Sequence, residues 1–215
     1  MNMTELHIAA LNSDLKEVER LIGARADVRA ADTLKRLPIH VCLLVGPNPS
    51  DKLKAQKAEI FMALFAKDPE SVLCQDQEGN NIFHRLVSGG YPTLLDEVLK
   101  KPELLEGVFT KNYLGQYPIH TAILNGDLAC VESLLKLEKV TTLPDSNDRL
   151  PLHYVAMNDC SEPLIEACCR ATPKSNRNAL DCEGKTPADL AIQYHKTSAE
   201  LVFQRHGLIN SQMQP

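Results

Sequence analysis

Histidine and cysteine are the side chains here whose type and spacing could do chemistry. The chain holds seven of each. Five histidines, His7, His40, His84, His120 and His153, recur at intervals of 33, 44, 36 and 33 residues. Each sits in a similar frame: TELHIAAL, LPIHVCLL, NIFHRLVS, YPIHTAIL and LPLHYVAM. Imidazoles could bind a metal if several converged on one point. The cysteines are Cys42, Cys74, Cys130, Cys160, Cys168, Cys169 and Cys182. None forms a C-x-x-C pair, and Cys168-Cys169 is the one adjacent couple, readable as a redox pair. The odd number and the absent spacing point to free thiols in a reducing compartment, hence a cytoplasmic setting. No G-x-S-x-G, P-loop, H-E-x-x-H or G-x-G-x-x-G occurs, so the expectation is no catalytic residue, no cofactor and no metal.

These residues ride on a repeat. A sixth frame, TPADLAIQ, places Asp189 where the histidine would stand. Eleven residues after three of the histidines an apolar i, i+3, i+4 triplet begins: Val18/Leu21/Ile22, Leu95/Val98/Leu99 and Val131/Leu134/Leu135. Ile165/Cys168/Cys169 and Ala199/Val202/Phe203 follow in the last two copies. Such a triplet is one face of a helix. Each unit is therefore a short helix, a turn and a second amphipathic helix. Cys168 and Cys169 fill core positions in this register, whereas Cys182 falls in a turn and should be exposed. Asp76 to Gly79, Asn112 to Gly115 and Asp181 to Gly184 carry Asx first and Gly fourth, as tight turns do. Pro38, Pro118, Pro151 and Pro187 open the first helices, where a missing N–H costs little.

The period and the frames resemble the ankyrin repeat, with its T-P-L-H-x-A signature. The resemblance runs from Thr4 to about Gly207. It implies an all-α solenoid of helix-turn-helix units with short β-hairpin or loop connectors, in a single curved stack. The units expected are 1–31, 32–75 with an insert at 46–57, 76–111, 112–144, 145–180 and 181–207, then a tail at 208–215. Pro47 and Pro49 interrupt the second unit, and the rest of the insert could lengthen its second helix. The first and last units look like caps. The resemblance also implies that each histidine ties its unit to the next connector. Stacked one repeat apart, the rings are too far from each other to share a ligand sphere of about 2 Å bonds. Leu37, Asn81, Tyr117 and Leu150 replace the signature Thr, so the usual Thr–His bond is not expected there.

Function then follows from surface residues. The net charge of -5 disfavours nucleic acid and anionic membranes, and no apolar run is long enough to span a bilayer. The resemblance puts the connector tips and the outer ends of the first helices on a concave groove. Leu34, Arg36, Leu44, Val45, Tyr113, Leu114, Gln116, Leu124, Asn125, Arg149, Met157 and Asn158 fall there. Apolar side chains at equivalent exposed positions mark an interaction site. The expectation is a non-enzymatic module that binds a protein partner, more readily a monomer than a homo-oligomer. Two alternatives stand beside it: a bacterial effector acting in a host cytosol, and an enzyme or ligand-regulated protein with its site on the insert.

Overall fold

A computed structural model of the chain describes residues 3–46 and 49–210. Pro47 and Asn48 of the expected insert, and residues 211–215 of the tail, lie outside the described residues. Backbone contacts divide the chain into two compact units, Met1–Tyr113 and Leu114–Pro215. Twelve α-helices occur among the described residues, six in each unit.

The first unit holds three helix pairs: α1 (Glu5–Leu11) with α2 (Leu15–Gly23), α3 (Pro38–Val41) with α4 (Asp51–Lys67), and α5 (Ile82–Gly89) with α6 (Pro92–Leu99). The second holds α7 (Pro118–Leu124) with α8 (Leu128–Leu135), α9 (Pro151–Met157) with α10 (Glu162–Ala171), and α11 (Pro187–Gln193) with α12 (Thr197–Arg205). First helices pack on first helices (α1 on α3, α7 on α9, α9 on α11), and second helices on second helices (α2 on α4, α8 on α10, α10 on α12). The apolar triplets supply the layer between them. Val18, Leu95, Val131, Ile165, Cys168, Cys169, Val202 and Phe203 are buried. A fully buried aliphatic side chain of this size stabilises by about 1.5–3 kcal/mol.

Local signals set the helix ends. The Asp14 and Asp127 carboxylates accept the N–H of Glu17 (3.1 Å) and Cys130 (3.0 Å) and so start α2 and α8. Ser50 does the same for Leu53 (3.2 Å), which begins α4 inside the expected insert. The insert thus extends the second helix to 17 residues, while α3 is cut to four. The added turns carry Lys54 and Lys57, whose ammonium groups donate to the carbonyls of Gly90 (3.2 Å) and Leu11 (3.3 Å), at the C-terminal ends of α5 and α1. A cation there meets the negative end of the helix dipole. Burial nonetheless pushes Lys57 below its ordinary range.

The connectors take the loop form of the two expected: no strand occurs among the described residues. Four of the five connectors are tight turns built on one carboxylate, and the third is headed by Asn112. Asp32 Oδ1 accepts from Leu34 N (2.8 Å) and Arg36 N (2.9 Å). Asp76 takes Glu78 and Asn80, Asp145 takes Asn147 and Arg149, and Asp181 takes Glu183 and Lys185, all at 2.7–3.0 Å. With both N–H groups spent on a side chain, little is left for a strand ladder. Successive turns are tied by single bonds such as Gln77 N to Leu34 O (2.9 Å) and Cys182 N to Asn147 O (3.0 Å). The fourth turn residue is left-handed throughout: Gly79, Gly115 and Gly184, but also Lys35 (φ 56°) and Asp148 (φ 57°). Gly115 has a further reason, since a Cβ there would meet Ser146 Oγ at 1.8 Å.

The histidines are structural. His40 Nδ1 accepts the N–H of Leu37 (3.2 Å), and His153 Nδ1 that of Leu150 (2.9 Å). The proton therefore sits on Nε2, which donates to Cys74 O (3.0 Å) from His40 and to Ala179 O (3.1 Å) from His153. His7 Nε2 reaches Arg36 O at 2.9 Å and its Nδ1 meets Thr4 Oγ1 at 2.7 Å. At Asn81 an amide stands in for the missing hydroxyl. Asn81 Nδ2 donates to Gly107 O (2.7 Å), which leaves Oδ1 to face His84 Nδ1 at 2.8 Å. The Asn81 N–H also donates to His84 Nδ1 (3.4 Å), the contact that His40 and His153 make with their own helix starts. In the sixth unit the Asp189 carboxylate takes the N–H of Thr186 at 2.8 Å.

Burial makes these rings acid-sensitive. It lowers His40 from 6.5 to about 4 and lowers His153 in the same direction. Between those values the unfolded chain binds a proton that the folded ring refuses, so stability holds above about pH 6.5 and falls as the pH drops toward 4. His40 alone should remove about 2 kcal/mol between pH 7 and 5. Urea midpoints across that range check this: His40→Gln should start lower but lose much of the pH slope.

Candidate functional site

The connector tips and first-helix ends form the candidate surface, taken one unit at a time. In the first unit Leu34 and Leu44 are half-buried and line a hollow of about 240 Å3 with Arg36, Asp76, Glu78 and Arg85. Its charges are matched internally. The Arg36 guanidinium donates to Asp32 Oδ2 from Nη2 (2.6 Å) and Nε (2.9 Å). Arg85 pairs with Asp76 and, at 3.1 Å, with Glu78. Burial opposes ionisation of Asp32, but the Arg36 side chain and the N–H groups of Arg36 and Leu34 outweigh it and hold its carboxyl below the usual range. Val45 is half-buried beside Leu44. Tyr113 is 69% exposed; its ring lies along Gly79, where a Cβ would sit 2.7 Å from its Cδ1.

In the second unit the apolar residues stand open. Leu114 is 75% exposed and Leu124 45%. Asn125 is exposed, and Met157 and Asn158 are half-buried. Leu124 and Met157 hold the same register position on the adjoining helices α7 and α9. The polar members are tied inward. Gln116 Nε2 donates to Tyr154 Oη (3.3 Å), which donates to Asp145 Oδ2 (2.8 Å). The Tyr154 ring lies 4.5 Å from that of His120. Arg149 meets Asp181 (3.3 Å) and Glu183 (3.2 Å), and Asn158 Nδ2 donates to Tyr154 O (2.7 Å).

The sequence-based residues thus sort by chemistry. Arg36, Arg149 and Gln116 act inside networks that hold the turns, while Tyr113, Leu114 and Leu124 offer open apolar area. Two turn heads, Asp32 and Asp145, escape the sequence reading because Lys35 and Asp148 replace the glycine. Their signal is register: each lies six residues before the proline opening the next helix, as Asn112 and Asp181 do.

Burial pushes the thiols of Cys42 and Cys169 up to about 12, raises Cys168 further, and with Asp159 raises Cys160 to about 11. Cys160 shares the lining of one cavity with His195, yet a reactive thiol needs the opposite shift. No group of three or more His, Cys, Asp or Glu among the described residues could hold a metal ion. No described helix is long and apolar enough to cross a membrane.

Solved structures share this backbone. An ankyrin repeat domain from Acinetobacter baumannii AYE superposes with a TM-score of 0.76 at 17% identity, over 94% of this chain and 97% of its own. A second ankyrin repeat protein, EF0377, also gives 0.76, at 18% identity over 93% and 96%. Residues 119–212 match the family described as ankyrin repeats in three copies. The fold is the ankyrin repeat. At this identity the likeness fixes architecture rather than partner. The first three helix pairs lie outside the family match and reach the fold through structure.

The repeat register makes a chemical prediction. Cys182 is exposed, whereas Cys42, Cys130, Cys160, Cys168 and Cys169 are buried and Cys74 is half-buried. Titration of the native protein with an aromatic disulfide reagent should show one fast thiol, removed by Cys182→Ser. Equal speed at Cys168 would break the assigned register.

Proposed function

We propose that the chain is a non-enzymatic protein-binding module that takes its partner on the turn tips and first-helix ends. Ankyrin repeats generally serve as protein–protein interaction modules, and the geometry supports that use here. One observation carries the reading: Leu114 and Leu124 stay open to solvent on a face whose charges are internally matched. Leu or Tyr side chains exposed in this way lose water on docking without breaking an internal bond. The neutralised arginines and carboxylates around them give a partner shape and hydrogen-bonding groups rather than a strong field. Met157, Asn125 and Asn158 extend the same surface along the second unit. Leu34, Leu44, Val45 and Tyr113 offer a smaller counterpart in the first.

The test is the double substitution Leu124→Asp with Met157→Asp. Neither side chain is in the core, so circular dichroism and the melting temperature should hold within a few degrees. Capture of partner protein from a cell lysate by the immobilised chain should be lost. Undiminished capture by the double variant would remove this surface from the mechanism.

A further inference from the structure

The sixth helix pair keeps an apolar contact position open. Ile192 lies on α11, three residues past Asp189, and is 49% exposed. Ala10, Leu43, Ile123 and Ala156 hold the same register position on earlier first helices, and none is more than 3% exposed. Each of those four sits on a helix that a following first helix packs against: α1 under α3, α3 under α5, α7 under α9 and α9 under α11. This position is thus the forward contact of a first helix. At α11 it opens on a hollow of about 310 Å3, floored by Ala188, Phe203 and Leu208 and edged by Glu200. A capping unit needs a polar outer face, so the sixth pair is not built as one.

The opposite contact is open at α1. One residue past the histidine position, Val41, Tyr154 and Leu190 are at most 6% exposed, and Arg85 is half-buried. This position looks back at the preceding helix pair: the Tyr154 ring lies 4.5 Å from that of His120. Ile8 holds the same position on α1 and is 48% exposed. The charges on that side are Glu5, one turn back on α1, and the Glu17–Arg20 pair (2.6 Å) of α2, close enough for Glu5 to act on Arg20.

One exposed isoleucine is ordinary. Here two of them occupy the two halves of a contact that the fold makes repeatedly, and each half is covered wherever a neighbouring first helix lies against it. We propose that the α11–α12 face of one copy takes the α1 face of a second copy, so that repeat packing continues from chain to chain. Ile8 fills the hollow beside Ile192. The occupant is a second copy because the hollow extends an interface this chain already builds from its own first helices, and α1 is the first helix whose backward contact stands open. Such a contact is heterologous: every joined pair keeps one open face of each kind, and growth continues with concentration. A contact of this small size is weak, so the dilute chain is monomeric. The surface is separate from the Leu114–Leu124 face, and the two readings stand independently.

Sedimentation equilibrium of the chain from about 5 to about 500 µM tests it. The average mass of the parent should rise past that of a dimer. Ile192→Asp and Ile8→Asp should each weaken association at least about tenfold and stay monomeric. Mixed in equal amounts, the two variants should form a dimer that grows no further, because each retains the face the other lacks. Ile192→Ser and Ile8→Ser replace them if an Asp variant loses its helical circular dichroism. The Leu124→Asp/Met157→Asp chain should associate as the parent does. A parent that stays monomeric to about 500 µM would overturn the proposal, and removal of residues 211–215 that then released association would name the tail as the occupant instead. Unchanged association in either Ile variant, a mixture that stays monomeric, or loss of association in the Leu124→Asp/Met157→Asp chain would overturn it equally.

Discussion

One constraint governs four of the five turns: a buried aspartate must satisfy the backbone before it can do anything else. Asp32, Asp76, Asp145 and Asp181 are nearly inaccessible to water, and each spends one carboxylate oxygen on two N–H groups of its own turn. Without those bonds each turn would bury two unsatisfied donors, at about 1–3 kcal/mol apiece. The second oxygen is then the only charge left to place, and it recruits a different partner at each turn. Arg36 answers Asp32, Arg85 answers Asp76, Tyr154 answers Asp145 and Arg149 answers Asp181. The variable residues of the repeat are in part replies to a recurring carboxylate. The histidines close the same circuit from the helix side, since a ring nitrogen accepting an N–H at the helix start leaves the other to donate to the next connector.

This explains what the sequence could and could not show. Periodicity of Leu, Val and Ile reports core burial directly, so the six helix pairs and the burial of Cys168 and Cys169 were legible. The histidine frames were legible because a spacing of about 33 residues has few other physical causes. Hairpin or loop stayed open at the connectors because a turn led by Asx and closed by Gly reads the same whether strands flank it or not. Only the bond partners of the Asp side chain decide that. Asp32 and Asp145 escaped because Lys35 and Asp148 tolerate a left-handed backbone that composition assigns to glycine. The Asn81–His84 contact shows the converse: a substituted signature residue kept the bond through a different atom.

Surface chemistry was the harder part. Sequence can place a side chain on a face but not say whether an internal partner has taken it. Arg36 and Arg149 have the residue type of a binding hot spot, yet each is held by a buried carboxylate within its unit. Removing either to test binding would also unsettle a turn, and a loss of capture would be ambiguous. Leu124 and Met157 carry no such second duty, which makes their substitution the cleaner probe.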